Sequence, residues 1–264
     1  MSLEPSREDL HQLATILSES RRVLVFTGAG ISAESGIATY RGQGGTWTKY
    51  DPEIYASIDY FRRDPSYFWT FFREVRLGMI TTAQPNKGHY TLAEWERLGK
   101  VRLIVTQNID GLHQRAGSQK VVELHGNTTR FYCLSCGRHY DLEHIKELLE
   151  KEVVPHCECK GVIRPDVVLF GELLPPGAME IALAEARECD LCLSIGSSLV
   201  VYPAAEVPYT AKIEGARLVI INLDPTPLDE LADQVYHYPS GSFLHQVGEV
   251  FREMGGIATQ ISRE

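Results

Sequence analysis

The 264-residue chain has no run of about 18 consecutive apolar residues, so a membrane-spanning helix of ordinary length is excluded. Its first residues, Met1 to Arg7, are polar and lack the apolar core of a secretory leader, and a cytoplasmic location is the expectation. An excess of positive charge is also lacking: 26 Lys and Arg stand against 35 Asp and Glu, a formal net charge of −9. Affinity for a phosphate backbone rests largely on Lys and Arg, so direct nucleic-acid binding is not expected. An acidic surface suits basic partners such as lysine-rich peptides, or serves solubility alone. Internal repeats and low-complexity tracts are absent. Cysteine is scarce, with six residues, and their clustering points to metal or redox chemistry rather than to a disulfide framework.

What is present suits a soluble globular protein: 44% hydrophobic and 23% charged residues. Short, continuously apolar runs at Arg22–Thr27, Val101–Thr106, Asp190–Ile195 and Arg217–Asn222 read as strands buried on both faces of a parallel sheet. A fifth strand is expected over Asp166–Phe170. Helical patterns lie between them. Ser6 can cap the first, with Glu8 and Asp9 in its first turn; Pro203 suits a first helical position; Ser240 can cap the last helix, which runs to about Met254. Alternating strands and helices predict a doubly wound, Rossmann-like α/β sheet, whose ligands bind outside the carboxyl ends of the strands.

Two stretches break this rhythm. Residues 40–85 are rich in aromatics and helical in pattern, and residues 125–165 carry four cysteines. Together they predict a smaller domain made of two insertions, leaving residues 1–39, 86–124 and 166–254 as the discontinuous sheet domain and 255–264 as a tail. In the second insertion Cys133-x-x-Cys136 is followed after 20 residues by Cys157-x-Cys159. Two close thiolate pairs suit a tetrahedral zinc ion. The one-residue gap in the second pair is tight, so His156 or His139 is an alternative to one thiolate. Four thiolates leave no open position, which makes the metal structural. Cys189-x-x-Cys192 has redox spacing, but it opens a strand expected to be buried and reads as core.

After the first strand, Gly28-Ala29-Gly30-Ile31-Ser32-Ala33 leads toward a helix, as in a dinucleotide-binding turn. Ala33 stands for the third glycine, and no acidic residue ends the next strand, so a plain tight turn is also open. The segment continues to Gly42, and with Thr106-Gln107-Asn108-Ile109-Asp110-Gly111-Leu112-His113, Glu123-Leu124-His125-Gly126, Val167–Glu172, Gly196-Ser197-Ser198-Leu199 and Asn222-Leu223-Asp224 it closely resembles the sirtuins, NAD-dependent protein deacylases. The motifs follow the family's order over roughly residues 10 to 250.

This resemblance implies roles. His125 would be the general base, taking a proton from a ribose hydroxyl; alone it would read as structural. Asn108 would hold the ribose and a water, Gln107 would touch the cofactor ribose, and Asp110 would accept from the nicotinamide carboxamide. The NAD surface would comprise Gly28, Ala29, Gly30, Ile31, Ser32 and Glu34, then Tyr40 and Arg41 on a closing segment, then Gln107, Asn108, Ile109 and Asp110. It would continue through Gly196, Ser197 and Ser198 to Asn222, Leu223 and Asp224, with Ser242 on the last helix. Ser and Asn after strands are also common helix caps. Val167, Val168, Phe170, Gly171, Glu172 and Val200 would bind an extended acyl-lysine peptide added as a strand. Cys133, Cys136, Cys157 and Cys159 would hold the zinc.

The chain reads Ala38-Thr39-Tyr40-Arg41 where the family commonly has Pro-Asp-Phe-Arg. Thr at that place occurs in the branch that removes acidic acyl groups, which anchors the carboxylate with a Tyr-x-x-Arg pair. Here Trp69 and Phe72 fall at those positions, and neither can pair a carboxylate; only a shifted register would bring in Arg73 or Arg76. An uncharged acyl group, acetyl or longer aliphatic, is the expectation. The implied reaction gives free lysine, nicotinamide and O-acyl-ADP-ribose, and a monomer acting on acyl-lysine peptides or proteins is the expectation. A mono-ADP-ribosyltransferase and a non-catalytic NAD sensor are the alternatives.

Overall fold

The computed structural model describes residues 4–40 and 45–255. In chain order its elements begin α1 (Arg7–Glu19), β1 (Val23–Thr27), α2 (Pro52–Tyr55), α3 (Ile58–Arg63), α4 (Pro65–Phe71), α5 (Leu77–Thr82) and α6 (Lys87–Arg97). There follow β2 (Val101–Thr106), α7 (Leu112–Arg115), β3 (Val121–Glu123), β4 (Gly126–Cys133), β5 (His139–Asp141), α8 (Leu142–Leu149) and β6 (Ile163–Val167). The chain closes with α9 (Ala178–Glu188), β7 (Leu191–Ile195), α10 (Glu206–Ile213), β8 (Arg217–Ile221), β9 (Gln234–Tyr236) and α11 (Ser240–Glu253).

Six strands form a wholly parallel sheet in the order β3-β2-β1-β7-β8-β9, as in a Rossmann fold. All five residues of β1 and of β7 are buried, as their unbroken apolar runs require. Alternate side chains serve opposite faces. Val23 and Val25 pack with Leu13, Leu92 and Phe243 beneath α1, α6 and α11, whereas Leu24 and Phe26 pack with Ala182 and Val207 beneath α9 and α10. The edge strands β3 and β9 were not marked by the sequence, because each has only three residues and no apolar run.

The segment 166–170 does not supply a strand of this sheet. Its first residues end β6, which runs antiparallel to β4 in a second sheet of order β5-β4-β6. An apolar run has the same appearance in either sheet; the antiparallel partner lies far away in sequence. The two insertions pack into one smaller lobe around a shared core, where Phe61, Trp69 and Phe72 from α3, α4 and the π turn after it meet Phe131, Ile145 and Ile163.

Local signals were read correctly at α1, where Ser6 Oγ accepts from the Asp9 amide at 3.0 Å. Two others were not. Pro203 lies in the turn ahead of α10, which starts at Glu206. Ser240 is the first residue of α11 rather than its side-chain cap; the free amide of Ser242 is taken by Glu34, from a distant loop, at 2.8 Å.

Candidate active site

Strand β1 has β2 on one side and β7 on the other, so the connections leave in opposite directions at its carboxyl end. A crevice at this switch point is the ligand site such sheets favour. Here it opens into a cavity of 820 Å³ that continues between the sheet and the smaller lobe. A smaller, more open depression of 530 Å³ near His11 and Arg217 holds none of the candidate cofactor, substrate or metal residues.

The loops after β1 and β7 form the floor. Gly28 N donates to Ile195 O at 3.0 Å and Gly30 N to Gly196 O at 2.8 Å. A Cβ on Gly28 would lie 2.7 Å from Gly196 O, and one on Gly30 2.6 Å from Gly196 Cα. The glycines are therefore required first by the contact between the two loops. Gly28, Ala29, Gly30, Gly196, Ser197 and Ser198 all border the cavity, while Ile31 turns into the core.

His125 borders the cavity and is held by its far nitrogen: Nδ1–H donates to Gln107 O at 2.9 Å. A carbonyl can only accept, so the proton sits on Nδ1 and Nε2 keeps its lone pair. Burial pushes the imidazole below its usual value, with the Gln107 bond opposing in part. Gln107 is fixed in turn, its Nε2 donating to Ser197 Oγ at 2.8 Å. Asn108 is buried but reaches the cavity; its Nδ2 donates to Gly28 O at 2.9 Å and to Ser32 Oγ at 3.3 Å.

Asp110 and Ser32 stand behind the cavity wall. Ser32 Oγ–H donates to Asp110 Oδ2 at 2.7 Å, and the Leu112 amide donates to Oδ1 at 2.9 Å. Burial raises the Asp110 carboxyl above its usual value. Behind Ser32 lies His89, pushed down to about 4 by burial, its ring 5.0 Å from that of His113, which burial also pushes well below its usual value. Neither histidine was singled out, since each falls in an ordinary helical pattern.

The smaller lobe supplies the opposite wall. Tyr40 packs on Trp47, and Arg76 lies over the Tyr40 ring, 4.7 Å from its centroid, and donates to its hydroxyl. Arg41 lies outside the described residues. Trp69 is fully buried, its Nε1 donating to Ile163 O at 3.2 Å, whereas Phe72 borders the cavity with Phe68 and Phe71. Trp47 and Phe71 were missed, their only signal being the density of aromatics in the insertion; Arg76 was weighed only as a shifted-register partner for an acidic acyl group. Val167, Val168, Phe170, Gly171 and Glu172 line the cavity; Val200 does not, and Val201, Tyr202 and Pro203 take its place.

At the far end the cavity reaches Asn222, Leu223 and Asp224. Asn222 Nδ2 donates to Asp224 O at 2.7 Å, so its amide shapes this loop. Ile109 and Glu34 also border the cavity. Ser242 does not: its amide and hydroxyl both donate to Glu34, at 2.8 and 2.9 Å.

The four cysteines of the second insertion converge, their sulfurs all within 4.8 Å of one another. Cys133 and Cys159 are 3.5 Å apart, Cys136 and Cys157 3.6 Å. Tetrahedral zinc at Zn–S distances of about 2.3 Å needs sulfurs about 3.8 Å apart, which these fit. His156 is not among them; its Nδ1 faces Glu152 at 2.9 Å. His139 also lies outside the cluster. Tyr140 donates to Cys157 Sγ at 2.9 Å and pulls that thiol down to about 6. Cys189 and Cys192 are buried core residues; burial pushes the Cys189 thiol up to about 12.

The family model described as "Sir2 family" matches residues 28–203, which include every element of this floor and His125. The chain belongs to the Sir2 family. It is 51% identical over 234 residues to an NAD-dependent protein deacetylase of Sulfurisphaera tokodaii, covering 88% of this chain and 92% of that protein. It is 46% identical to NAD-dependent protein deacylase 2 of Archaeoglobus fulgidus, covering 94% and 98%. A solved structure from work on the mechanism and regulation of Sir2 enzymes superposes with a TM-score of 0.87 at 46% identity, covering 94% of this chain and 100% of that one. A Sir2 complex with a p53 peptide and NAD+ does so with 0.84 at 41%, covering 94% and 99%. In this Sir2 chain the Rossmann-like sheet and the cysteine-bearing lobe, both expected from the sequence, face one another across the cavity. No helix among the described residues is long and apolar enough to cross a membrane.

Proposed function

We propose that this protein removes acyl groups from lysine side chains of proteins, consuming NAD and releasing free lysine, nicotinamide and O-acyl-ADP-ribose, with His125 as the general base. The observation that carries this reading is the Nδ1–H bond from His125 to Gln107 O, which leaves an unprotonated Nε2 on a residue bordering the cavity. Bound NAD supplies an electrophilic ribose carbon and a good leaving group. His125 takes the proton from a ribose hydroxyl. Asn108, anchored to Gly28 O through its Nδ2, presents its side-chain carbonyl to the ribose and a water. Asp110 accepts from the carboxamide and is held in place by Ser32. Gly28, Ala29, Gly30, Gln107, Gly196, Ser197 and Ser198 hold phosphate and ribose, Ile109 and Tyr40 the nicotinamide side, and Asn222, Leu223 and Asp224 the adenosine end. Glu34 completes that surface, held by Ser242 from outside the cavity, and Ile31 backs it from the core. Tyr40, Trp47 and Phe71 exclude water from the reacting centre.

The substrate lies extended along Val167, Val168, Phe170, Gly171 and Glu172 and the loop from Val201 to Pro203. Phe68, Phe71, Phe72 and Val168 make an apolar channel for an acetyl or longer aliphatic group. Zinc on Cys133, Cys136, Cys157 and Cys159 is a scaffold and takes no part in proton transfer. The sheet domain comprises 1–39, 86–124 and 166–254, the smaller domain 40–85 and 125–165. Thiolates held for a metal suit a reducing cytoplasm, and the protein acts as a monomer without nucleic acid.

Incubation with NAD and a lysine peptide carrying acetyl, octanoyl or succinyl groups tests this reading. Nicotinamide and free lysine should form together from the first two, and His125→Ala should abolish both. Transfer of label to a protein, or nicotinamide release unaffected by His125→Ala, overturns it.

A further inference from the structure

Among the described residues Arg164 is the one Lys or Arg that is buried, at 3% exposure. It sits on β6, does not border the cavity, and uses four of the five N–H groups of its guanidinium. Nη1 donates to Glu172 Oε1 and Nη2 to Glu172 Oε2, both at 2.7 Å. Nη2 also donates to Val167 O at 2.6 Å and Nε to Pro165 O at 3.3 Å. Phe61 and Tyr132 cover the guanidinium, at 5.5 and 5.8 Å from their centroids.

Burying a guanidinium is costly, and an apolar residue of similar size often stabilises a fold as well or better. Packing alone therefore gives no reason for an arginine here. Its contacts do give one. Arg164 grips both ends of the segment from Val167 to Glu172: one by its carbonyl, the other by its side chain. Glu172 Oε2 in turn accepts from the Leu169 amide at 2.9 Å. The residues between, Val168 to Gly171, border the cavity. Three further bonds tie them to their surroundings: Val168 N donates to His125 O and Phe170 N to Ala56 O, each at 2.9 Å, and Ile58 N donates to Phe170 O at 3.0 Å. Beyond an isolated bridge of Phe170 to Ser57 these residues have no strand pairing, and a planar fork of fixed donors is suited to holding the rest. Glu172, spent on Arg164 and Leu169, is correspondingly not free to pair with a substrate.

We propose that Arg164 is a positioning residue for the acyl-lysine substrate, acting through Glu172 and Val167 O to hold the Val168–Gly171 edge in the shape that accepts the peptide. This rests on the reading above that the edge binds an acyl-lysine peptide. Arg164→Lys keeps the charge and loses the fork, and Glu172→Gln loses the carboxylate at a less buried position. Each should raise the KM for acetyl-lysine peptide about tenfold, as loss of a bidentate pair implies, with the KM for NAD within about twofold of wild type.

Anisotropy of a fluorescent acetyl-lysine peptide on the full chain reads the same effect without turnover. Weakened peptide binding with unchanged NAD KM supports the proposal; where Arg164→Lys fails to fold, Glu172→Gln carries the test. Equal loss for peptide and NAD together with a lowered Tm, or no change in either, overturns it. A wild-type chain that binds the peptide but releases no nicotinamide refutes the proposed reaction alone and leaves the binding comparison decisive. One that binds no such peptide refutes both.

Discussion

The amide of Gly30 donates to the carbonyl of Gly196 at 2.8 Å, joining the loops that leave the two central strands of the parallel sheet. Gly196 has φ +62, and a Cβ there would lie 2.4 Å from Ile31 N. Gly196→Ala therefore meets both backbone strain and a backbone clash. The strain alone is worth about 1–3 kcal/mol. Calorimetry should show a Tm lowered by roughly 2–4 °C for each kcal/mol, with NAD binding weakened in parallel. An alanine variant with unchanged Tm and NAD affinity would show that the loops do not depend on this contact.

His125 acts as a base only when neutral, and burial lowers its pKa below the usual 6.5. Neutral imidazole thus persists to lower pH than in a free histidine. The acid limb of the kcat/KM profile for the peptide should have its midpoint below 6.5. An acid limb centred above 6.5 would count against His125 as the base.

His89 affects stability rather than rate. Folding lowers its pKa from 6.5 to about 4 through burial, so below 6.5 the unfolded chain binds a proton the folded chain refuses. Its contribution is complete above 6.5 and is lost as pH falls toward about 4, up to about 3 kcal/mol. His113, lowered for the same reason, adds in the same direction. Urea midpoints should therefore fall between pH 7 and 5, and His89→Gln should flatten that slope. An equal slope in the variant would remove His89 from the explanation.

Strand β4 starts at Gly126, next to His125, and ends on the ligand Cys133. Removing zinc should therefore disturb the base and the peptide edge through one strand, while the separate parallel sheet keeps its loops. Purified protein should carry a single zinc. A metal-stripped chain or Cys133→Ser should lose deacylation and retain most NAD affinity in a binding titration. Full turnover without metal would exclude the scaffold role.

Much of this was legible beforehand. Strands β1, β2, β7 and β8 were readable because burial on both faces demands unbroken apolar runs. The cysteines announced their meeting by spacing, and the choice between four thiolates and a histidine was decided only when His156 was found on Glu152. Glu34 and Ser242 were each singled out for the cofactor, yet they bind one another, a pairing across the chain that no local pattern carries. Val200 was placed on the cavity where Val201 stands, since an irregular loop has no period to tell inward from outward.

By itself the sequence determined the fold class, the order of the motifs and the chemical kinds of residue at each strand end. These depend on local periodicity and on residue type. The tertiary structure decided what each polar group is bonded to, and thereby its role. It turned the glycines of the first loop into the counterpart of Gly196, gave His125 its tautomer through Gln107, and placed Arg164 beneath the Val168–Gly171 segment. Such assignments follow from which donors and acceptors are buried together, and burial joins residues that the chain keeps far apart.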